Sequence, residues 1–405
     1  MTSAASAMTA RGLAPWPATR AAPPRPSRGF GGGGRPRALS RRAASGAASG
    51  DASPALPPRG TNALQEDADG APHVSVLMRQ VLECFEGRAL RHYVDGTMGA
   101  GGHASAVVRA HPEMRAFVGF DVDPLAHALA RPRLEAAAED ARRAAHADAS
   151  TSTPEISAST VIHTVSANFR DIRERLLDLD VPPVDGILLD LGVSSMHLDL
   201  PERGFSFNDD GPLDMRMGPA AAVTAEEIVN EWPEDEIARV LRDYGEEKHW
   251  RLLARRICER RADAPITTTR QLVAALGRVP GAKGGRSGNV HPATRTFQGI
   301  RIAVNDELGA VEDVIPAAIE SLAPGGRLAI ISFHSLEDRI VKEAFRRAAG
   351  RLPATDRPLS AWEPQPEAPP KLVKLVTRKP IVADQDEVKA NVRSRSAKLR
   401  ICEKL

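Results

Sequence analysis

Three loops in this chain combine acids, hydroxyls and imidazoles with glycine, a mixture that could hold a nucleotide-like ligand and carry a reaction beside it. They are Asp95-Gly-Thr-Met-Gly-Ala-Gly-Gly-His103, Asp190-Leu-Gly-Val-Ser-Ser195 and Ser332-Phe-His-Ser-Leu-Glu-Asp-Arg339. Each follows a short apolar run, and open α/β sheets bind ligands outside the carboxyl ends of their strands. Glycines in the first loop let the backbone approach a ligand, and the helix start behind them offers free amide donors. Asp121, at the end of the next apolar run, can accept hydrogen bonds from both ribose hydroxyls of an adenosine. Helix capping is the competing use of such an acid, but Asp123 ahead of Pro124 already suits that task. Gly99 to Ala104 also satisfies the dinucleotide pattern G-x-G-x-x-A, so on these residues alone an NAD-dependent oxidoreductase is an alternative.

The elements that must position these loops alternate. Tyr93 to Asp95, Ala116 to Phe120, Val161 to Val165 and Ile187 to Leu189 read as strands, with helices between them, which predicts a parallel, doubly wound sheet. Residues 136–160 are rich in Ala, Asp, Ser and Thr and are expected to be a loop insertion. Over residues 224–280 the strand signal stops. Ile228, Trp232, Ile237, Val240 and Leu241 recur at helical spacing, as do Leu252, Leu253 and Ile257. Arg295 to Ile319 is again helical, Arg327 to Phe333 is a buried strand, and Leu372 to Val376 with Ala397 to Ile401 read as paired closing strands. The expected organisation is a leader over residues 1–70, an α/β domain over 72–215 and 293–405, and a small helical domain inserted over 216–292.

Composition narrows the class. Of the 405 residues 42% are hydrophobic, enough for a sizeable core, and only 4% are aromatic, so each Phe near a motif carries weight. The net charge of +2 hides a split: residues 1–50 hold eight Arg and no acid, and residues 371–405 hold ten Lys or Arg against four acids. Overall charge therefore does not announce a nucleic-acid partner, and the basic C-terminal segment is the obvious patch for one. The three cysteines, Cys84, Cys258 and Cys402, lie far apart, which fits a reduced compartment and no disulfide framework. No metal-ligand spacing is visible, and no apolar run approaches the roughly 20 residues of a membrane helix. The leader, basic, Ser-containing and acid-free up to Asp51, has the composition of an organelle transit peptide, with plastid stroma favoured over mitochondrial matrix. A compositionally biased tail is the plainer reading.

The motifs also form an ordered set: His73, the Asp95 glycine loop, Gly-Phe-Asp-Val-Asp-Pro124, Asn-Phe169 and the Asp190 loop. Arg-Gly-Phe-Ser-Phe207, Leu-Asp-Met-Arg-Met217 and Tyr-Gly-Glu-Glu247 follow. The set closes with Thr-Phe-Gln-Gly-Ile-Arg-Ile302, the Ser332 loop and Arg-Ser-Arg-Ser-Ala-Lys-Leu-Arg400. Over about residues 72 to 405 the chain resembles the RsmH/MraW family of small-subunit (16S) ribosomal RNA cytosine-N4 methyltransferases. The resemblance implies a class I methyltransferase fold, S-adenosylmethionine as donor, and ribosomal RNA near the decoding centre, free or in the small subunit, as partner, with neither DNA nor membrane. It implies that Gly101, Gly102 and His103 contact the methionine end, Asp121 the ribose and Phe169 the adenine, and that Asp190 lies near the sulfonium. His197 stands where the family has a donor-contacting Gln, and its ring still has a nitrogen to offer. Gln80 stands where the family commonly has an acid.

The exocyclic amine of cytosine is a weak nucleophile, because its lone pair is delocalised, and acceptors for its hydrogens would help place and deprotonate it. Asp190 is the leading candidate, with Ser194 or Ser195 as helpers, although turn hydrogen bonding is an equal use of those serines. His334, directly after the fifth strand, is a further catalytic candidate, and Ser335 with Asp338 suits a helix cap. Phe205, Phe207 and Phe333 could stack on a flipped base, or pack in the core. RNA phosphates are expected over Arg203, Arg216, Arg295, Arg301, Arg393, Arg395, Lys398 and Arg400. Arg393 and Arg395, on a strand, would point to one side as a comb. A basic edge that blocks aggregation is the competing reading. Asp210, Asp214, Glu246 and Glu247 are expected to order loops by pairing with arginines. A non-catalytic ribosome assembly factor that kept the fold is the remaining alternative.

Overall fold

The computed structural model describes residues 75–147, 159–278, 291–352 and 367–405. The leader expected over residues 1–70, and His73, lie outside these residues. Helix α1 (Met78–Phe85) precedes β1 (His92–Asp95), α2 (Gly102–Ala110), β2 (Ala116–Asp121), α3 (Pro124–Ala147) and β3 (Val161–Ser166). Then come α4 (Ile172–Asp178), β4 (Val184–Asp190) and the short α5 (Ser195–Asp199). Four helices follow: α6 (Ala225–Glu231), α7 (Glu234–Asp243), α8 (Trp250–Asp263) and α9 (Thr269–Leu276). After them run α10 (Pro292–Asn305), α11 (Glu307–Ser321), β5 (Leu322–Ser332) and α12 (Ser335–Ala348). The chain closes with β6 (Val373–Leu375), β7 (Ile381–Val382), α13 (Gln385–Ala390) and β8 (Lys398–Lys404).

The sheet order is β3-β2-β1-β4-β5-β8-β6, with β7 also paired to β8. The first five strands are parallel and β8 runs antiparallel to β5. Strand order reverses between β1 and β4, so the crevice of the doubly wound sheet opens at the ends of these strands. Asp95, Asp121, Asp190 and Ser332 all end strands on that edge. Successive strand residues point to opposite faces. Ile187 and Leu189 of β4 pack with α11 and α12, whereas Leu188 packs with α1, α2 and α3. Both faces are thus covered by apolar helices, as the near-continuous apolar runs of the strands require.

Two local expectations change. Residues 136–147 are not a loop: α3 runs on to Ala147. Alanine is the best helix former, and Leu134, Ala137, Ala141 and Ala145 recur at helical spacing and are buried. The helix expected over Arg295 to Ile319 is two, broken at Asp306, which adopts a left-handed conformation with φ 48°. A third apolar cluster belongs to the helices between β4 and β5. It joins Ile228, Ile237, Leu241, Leu253, Ile257 and Leu272 to Leu213 and Met215 on one side, and to Phe297 and Ile300 of α10 on the other. The helical core therefore draws in residues on both sides of 216–292.

Candidate active site

The crevice holds a cavity of about 410 Å³ lined by all three glycine- and acid-bearing loops. Its first wall is made by backbone. After β1 the chain turns, and Gly99 N donates to Asp121 Oδ2 at 2.9 Å while Asp123 N donates to Oδ1 at 2.9 Å. Each Asp121 oxygen keeps further acceptor capacity facing the cavity, and burial raises its carboxyl above the ordinary value. Gly102 lines the cavity so closely under Ser75 that a Cβ there would lie 2.2 Å from the serine Oγ. Gly101 does not line it: at φ 84° it caps α2, and a Cβ would press on Ala130 at 3.2 Å. Its part is to shape the turn and admit α3. Phe169 lines the cavity from a short 3-10 helix, Phe169–Asp171, capped by Asn168, which accepts from Arg170 N at 3.0 Å.

The centre of the cavity is a buried acid–imidazole group. His103 Nε2 is 2.8 Å from Val76 O, and a carbonyl only accepts, so Nε2 carries the proton. Burial lowers the ring to about 4, so it is neutral, and Nδ1 turns a lone pair toward Asp190 Oδ2 at 3.6 Å. Asp190 N donates to Thr97 Oγ1 at 2.6 Å, while its own Oδ1 is buried without a hydrogen-bond partner among the described residues. Burial, and then the charges of Asp95 and Glu337, push the Asp190 carboxyl well above the usual range. Asp95 below it is raised to about 7, by burial first and also by Asp121, against a hydrogen bond from Thr97 N at 3.0 Å.

The remaining walls are built by side chains gripping one another. Asp123 Oδ2 takes His197 Nε2 at 3.0 Å and Arg203 Nη1 at 2.7 Å. Burial opposes its ionisation, but these bonds and the Leu125 amide outweigh it and hold Asp123 at about 2. The other His197 nitrogen, Nδ1, accepts from Ser194 N at 3.3 Å and lies 3.1 Å from Ser194 Oγ. Ser194 and His197 close a capping box on α5. Both line the cavity, but the donor contact expected of His197 has no nitrogen left to make it, and Ser194 Oγ is engaged as a cap. Across the cavity His334, not Ser335, caps α12: its Nδ1 accepts from Glu337 N at 3.4 Å. Its Nε2 therefore carries the proton, 3.1 Å from Glu337 Oε1 but off the hydrogen-bonding direction. Buried Glu337 also accepts from Phe333 N at 2.8 Å.

The structure redistributes the arginines. Arg203 is spent inside the wall, its Nη2 also donating to the carbonyls of Arg216 and Met217. Arg301 is held in a bidentate pair with buried Glu307, at 2.8 and 2.9 Å. Arg400, on the interior strand β8, is 7% exposed and paired with Asp338 at 2.7 Å. The donors of these three are engaged by internal carboxylates and carbonyls. Arg216 pairs with Asp214, Lys398 stands 3.6 Å from Asp338, and Arg295 donates to Glu246 O while staying exposed. Arg393 and Arg395 form no comb: they lie on a 3-10 helix, Val392–Ser396, whose three-residue turn sends positions two apart to different sides. Arg393 lines the cavity and pairs with Asp199, and Arg395 is exposed. Of the acids expected to pair with arginines, Asp214 and Glu246 do so, whereas Asp210 accepts from Arg270 N and Glu247 from His249 N. Phe205 packs on His197 and Phe207 on Phe297 and His291; of the three phenylalanines only Phe333 lines the cavity.

Several lining residues were not singled out as site residues from the sequence: Ser75, Asn168, Arg133, Gln298 and Ser396. Asn168, Gln298 and Ser396 lie inside the motifs Asn-Phe169, Thr-Phe-Gln-Gly-Ile-Arg-Ile302 and Arg-Ser-Arg-Ser-Ala-Lys-Leu-Arg400, the pointers available. Among the described residues no group of three or more His, Cys, Asp or Glu is placed to hold a metal ion, and no helix is long and apolar enough to cross a membrane.

Five parallel strands, a glycine turn after β1 and a cavity-facing carboxylate at the end of β2 define the class I methyltransferase fold. The chain belongs to the MraW methylase family, whose model matches residues 70–405. A ribosomal RNA small subunit methyltransferase H from Heliobacterium modesticaldum is 46% identical over 336 residues, spanning 82% of this chain and 98% of the relative. One from Citrifermentans bemidjiense is 44% identical over 335 residues, spanning 82% and 98%. Among solved structures, an rRNA methylase from Streptococcus thermophilus aligns with a TM-score of 0.32 at 10% identity, over 81% of this chain and 93% of that one. The methyl donor is S-adenosylmethionine. The cavity suits it: Asp121 keeps acceptor capacity for a ribose, Phe169 offers an aromatic face, Gly102 leaves no room for a side chain, and Asp190 presents an orphaned acceptor. The dinucleotide pattern is incidental, since Gly101 serves α3 packing.

Proposed function

We propose that this protein methylates the exocyclic N4 of a cytosine in small-subunit ribosomal RNA near the decoding centre. The observation that carries this reading is Asp190 Oδ1, buried at the cavity floor with its hydrogen-bonding capacity unspent. An amine with two hydrogens is the kind of group such an acceptor selects. Bound in this cavity, S-adenosylmethionine supplies an electrophilic methyl carbon beside a cationic sulfur. A nearby cation favours the ionised carboxylate, and a carboxylate whose pKa is raised by burial is a strong base once ionised. Asp190 would thus orient the amine and take its proton. His334, with its proton on Nε2, donates rather than accepts; it would hydrogen-bond an acceptor on the base, a positioning role. Phe333 offers its ring to the pyrimidine.

The test is to incubate small subunits, and their naked RNA, with labelled donor and map the modified base. Asp190→Asn should lower the rate roughly 100-fold or more while the donor still binds, the scale of a lost general base. Wild-type turnover by Asp190→Asn would overturn the catalytic assignment, and no transfer by the wild type to any RNA would favour an assembly factor. The leader, basic and acid-free over residues 1–50, supports an organellar address, plastid before mitochondrion, to be read from a fluorescent fusion of residues 1–70.

A further inference from the structure

The cavity wall takes residues from both ends of the described chain: Ser75 ahead of α1, and Arg393 and Ser396 ahead of β8. What joins them is Glu387 of α13. Its carboxylate accepts from Leu77 N at 2.6 Å and from Gln80 Nε2 at 3.3 Å, and Arg79 donates to Asp384 at 3.1 Å beside it. Leu77 starts α1 in a left-handed conformation with φ 54° and no side-chain cap of its own. The C-terminal segment therefore supplies the missing acceptor for that helix start, and in doing so is fastened over the donor end of the cavity.

Three arginines line the cavity, and their commitments differ. Arg301 is locked to Glu307 through both forks. Arg133 donates to Ala100 O, inside the glycine turn it supports. Arg393 gives a single Nη2 bond to Asp199, at 2.8 Å, and both side chains of that pair are well exposed, 42% and 30%. Exposed pairs of this kind are weak and exchange partners readily. The donor's amino-acid end carries two opposite charges. The Nδ1 lone pair of His103 suits its ammonium group. The carboxylate needs a cation with donors to spare, and Arg393 is the lining arginine that has them; Ser75 and Ser396 line the same cavity.

We propose that Arg393, with Ser75 and Ser396, binds the α-carboxylate of the methyl donor, leaving Asp199 as it does so. This rests on the donor being S-adenosylmethionine and assigns Arg393 to the donor rather than to RNA. The test is calorimetry on the full chain with two ligands, S-adenosylhomocysteine and decarboxylated S-adenosylmethionine, for wild type, Arg393→Ala and Arg393→Lys. The wild type should prefer the ligand with the carboxylate. Arg393→Ala should weaken S-adenosylhomocysteine about tenfold, the scale of a lost charge-assisted hydrogen bond, and leave the decarboxylated ligand unchanged. Arg393→Lys should recover part of the loss. Equal weakening of both ligands would mean a merely structural role and overturn the proposal. So would unchanged affinity for both with weaker RNA binding, which would return Arg393 to the RNA. If the wild type binds neither ligand, the donor reading itself fails, and that outcome is distinct from the others.

Discussion

At the donor end of the cavity the polar groups are placed by backbone: Gly99 N and Asp123 N hold Asp121, Val76 O holds His103, and Asp190 N reaches Thr97. At the acceptor end side chains hold side chains: Asp123 with His197 and Arg203, Arg301 with Glu307, His334 with Glu337. The donor-end contacts pass through the main chain, and the carboxyls there, Asp95 and Asp190, are pushed toward neutrality. The acceptor end instead keeps its carboxylates Asp123 and Glu337 below the ordinary range, held there by the side chains they grip. The difference suits the tasks. A donor of fixed shape needs a rigid frame, whereas a wall that must meet a large RNA is stiffened by internal ion pairs that leave no loose charge in the cavity.

The sharpest way to break this contrast is Asp123→Ala. It leaves Arg203 in the wall without its carboxylate and frees His197, and removing one partner of a buried pair costs about 3–5 kcal/mol. Urea denaturation should show a loss of that order; a loss under about 1 kcal/mol would mean that the acceptor wall does not depend on its ion pairs. Next comes the neutral imidazole. With its folded value lowered from 6.5 to about 4, His103 stays unprotonated in the fold while the unfolded chain takes up a proton. Its contribution is complete above about pH 6.5 and is lost as pH falls toward about 4, with a slope of at most about 1.4 kcal/mol per pH unit. Asp95, raised to about 7, has the opposite sign and gains as pH falls through that value. Denaturation midpoints across this range should therefore fall more steeply with acid in the wild type than in His103→Asn; parallel curves would place His103 in a more open site. The smallest effect tests the backbone frame. Gly102→Ala puts a Cβ 2.2 Å from Ser75 Oγ and should weaken donor binding about tenfold, the low end of overpacking costs. Adding Ser75→Ala should restore much of the affinity, and failure to do so would mean that the clash is not with the serine.

Legibility in the sequence depended on how local a feature is. The glycine turn, Asp121 at the end of β2 and the alternation of strands and helices were readable, because turns, caps and periodicity are local. The length of α3 was misjudged because a polar composition was weighed above the buried positions Leu134, Ala137, Ala141 and Ala145. The partners of the arginines were not legible at all. Nothing in a linear motif tells Arg400, which faces Asp338 from 62 positions away, from Arg395, which is exposed.

What this chain determined by itself was where its backbone turns and which loops stand at strand ends, since those depend on neighbours within one turn of helix or one loop. What the tertiary structure alone decided was the fate of each charge. Arg203 meets Asp123 across 80 residues and Arg393 meets Asp199 across 194. Whether a guanidinium faces an internal carboxylate or open water is settled only when the sheet brings such segments together, because the attraction between charges acts through space and takes no account of sequence order.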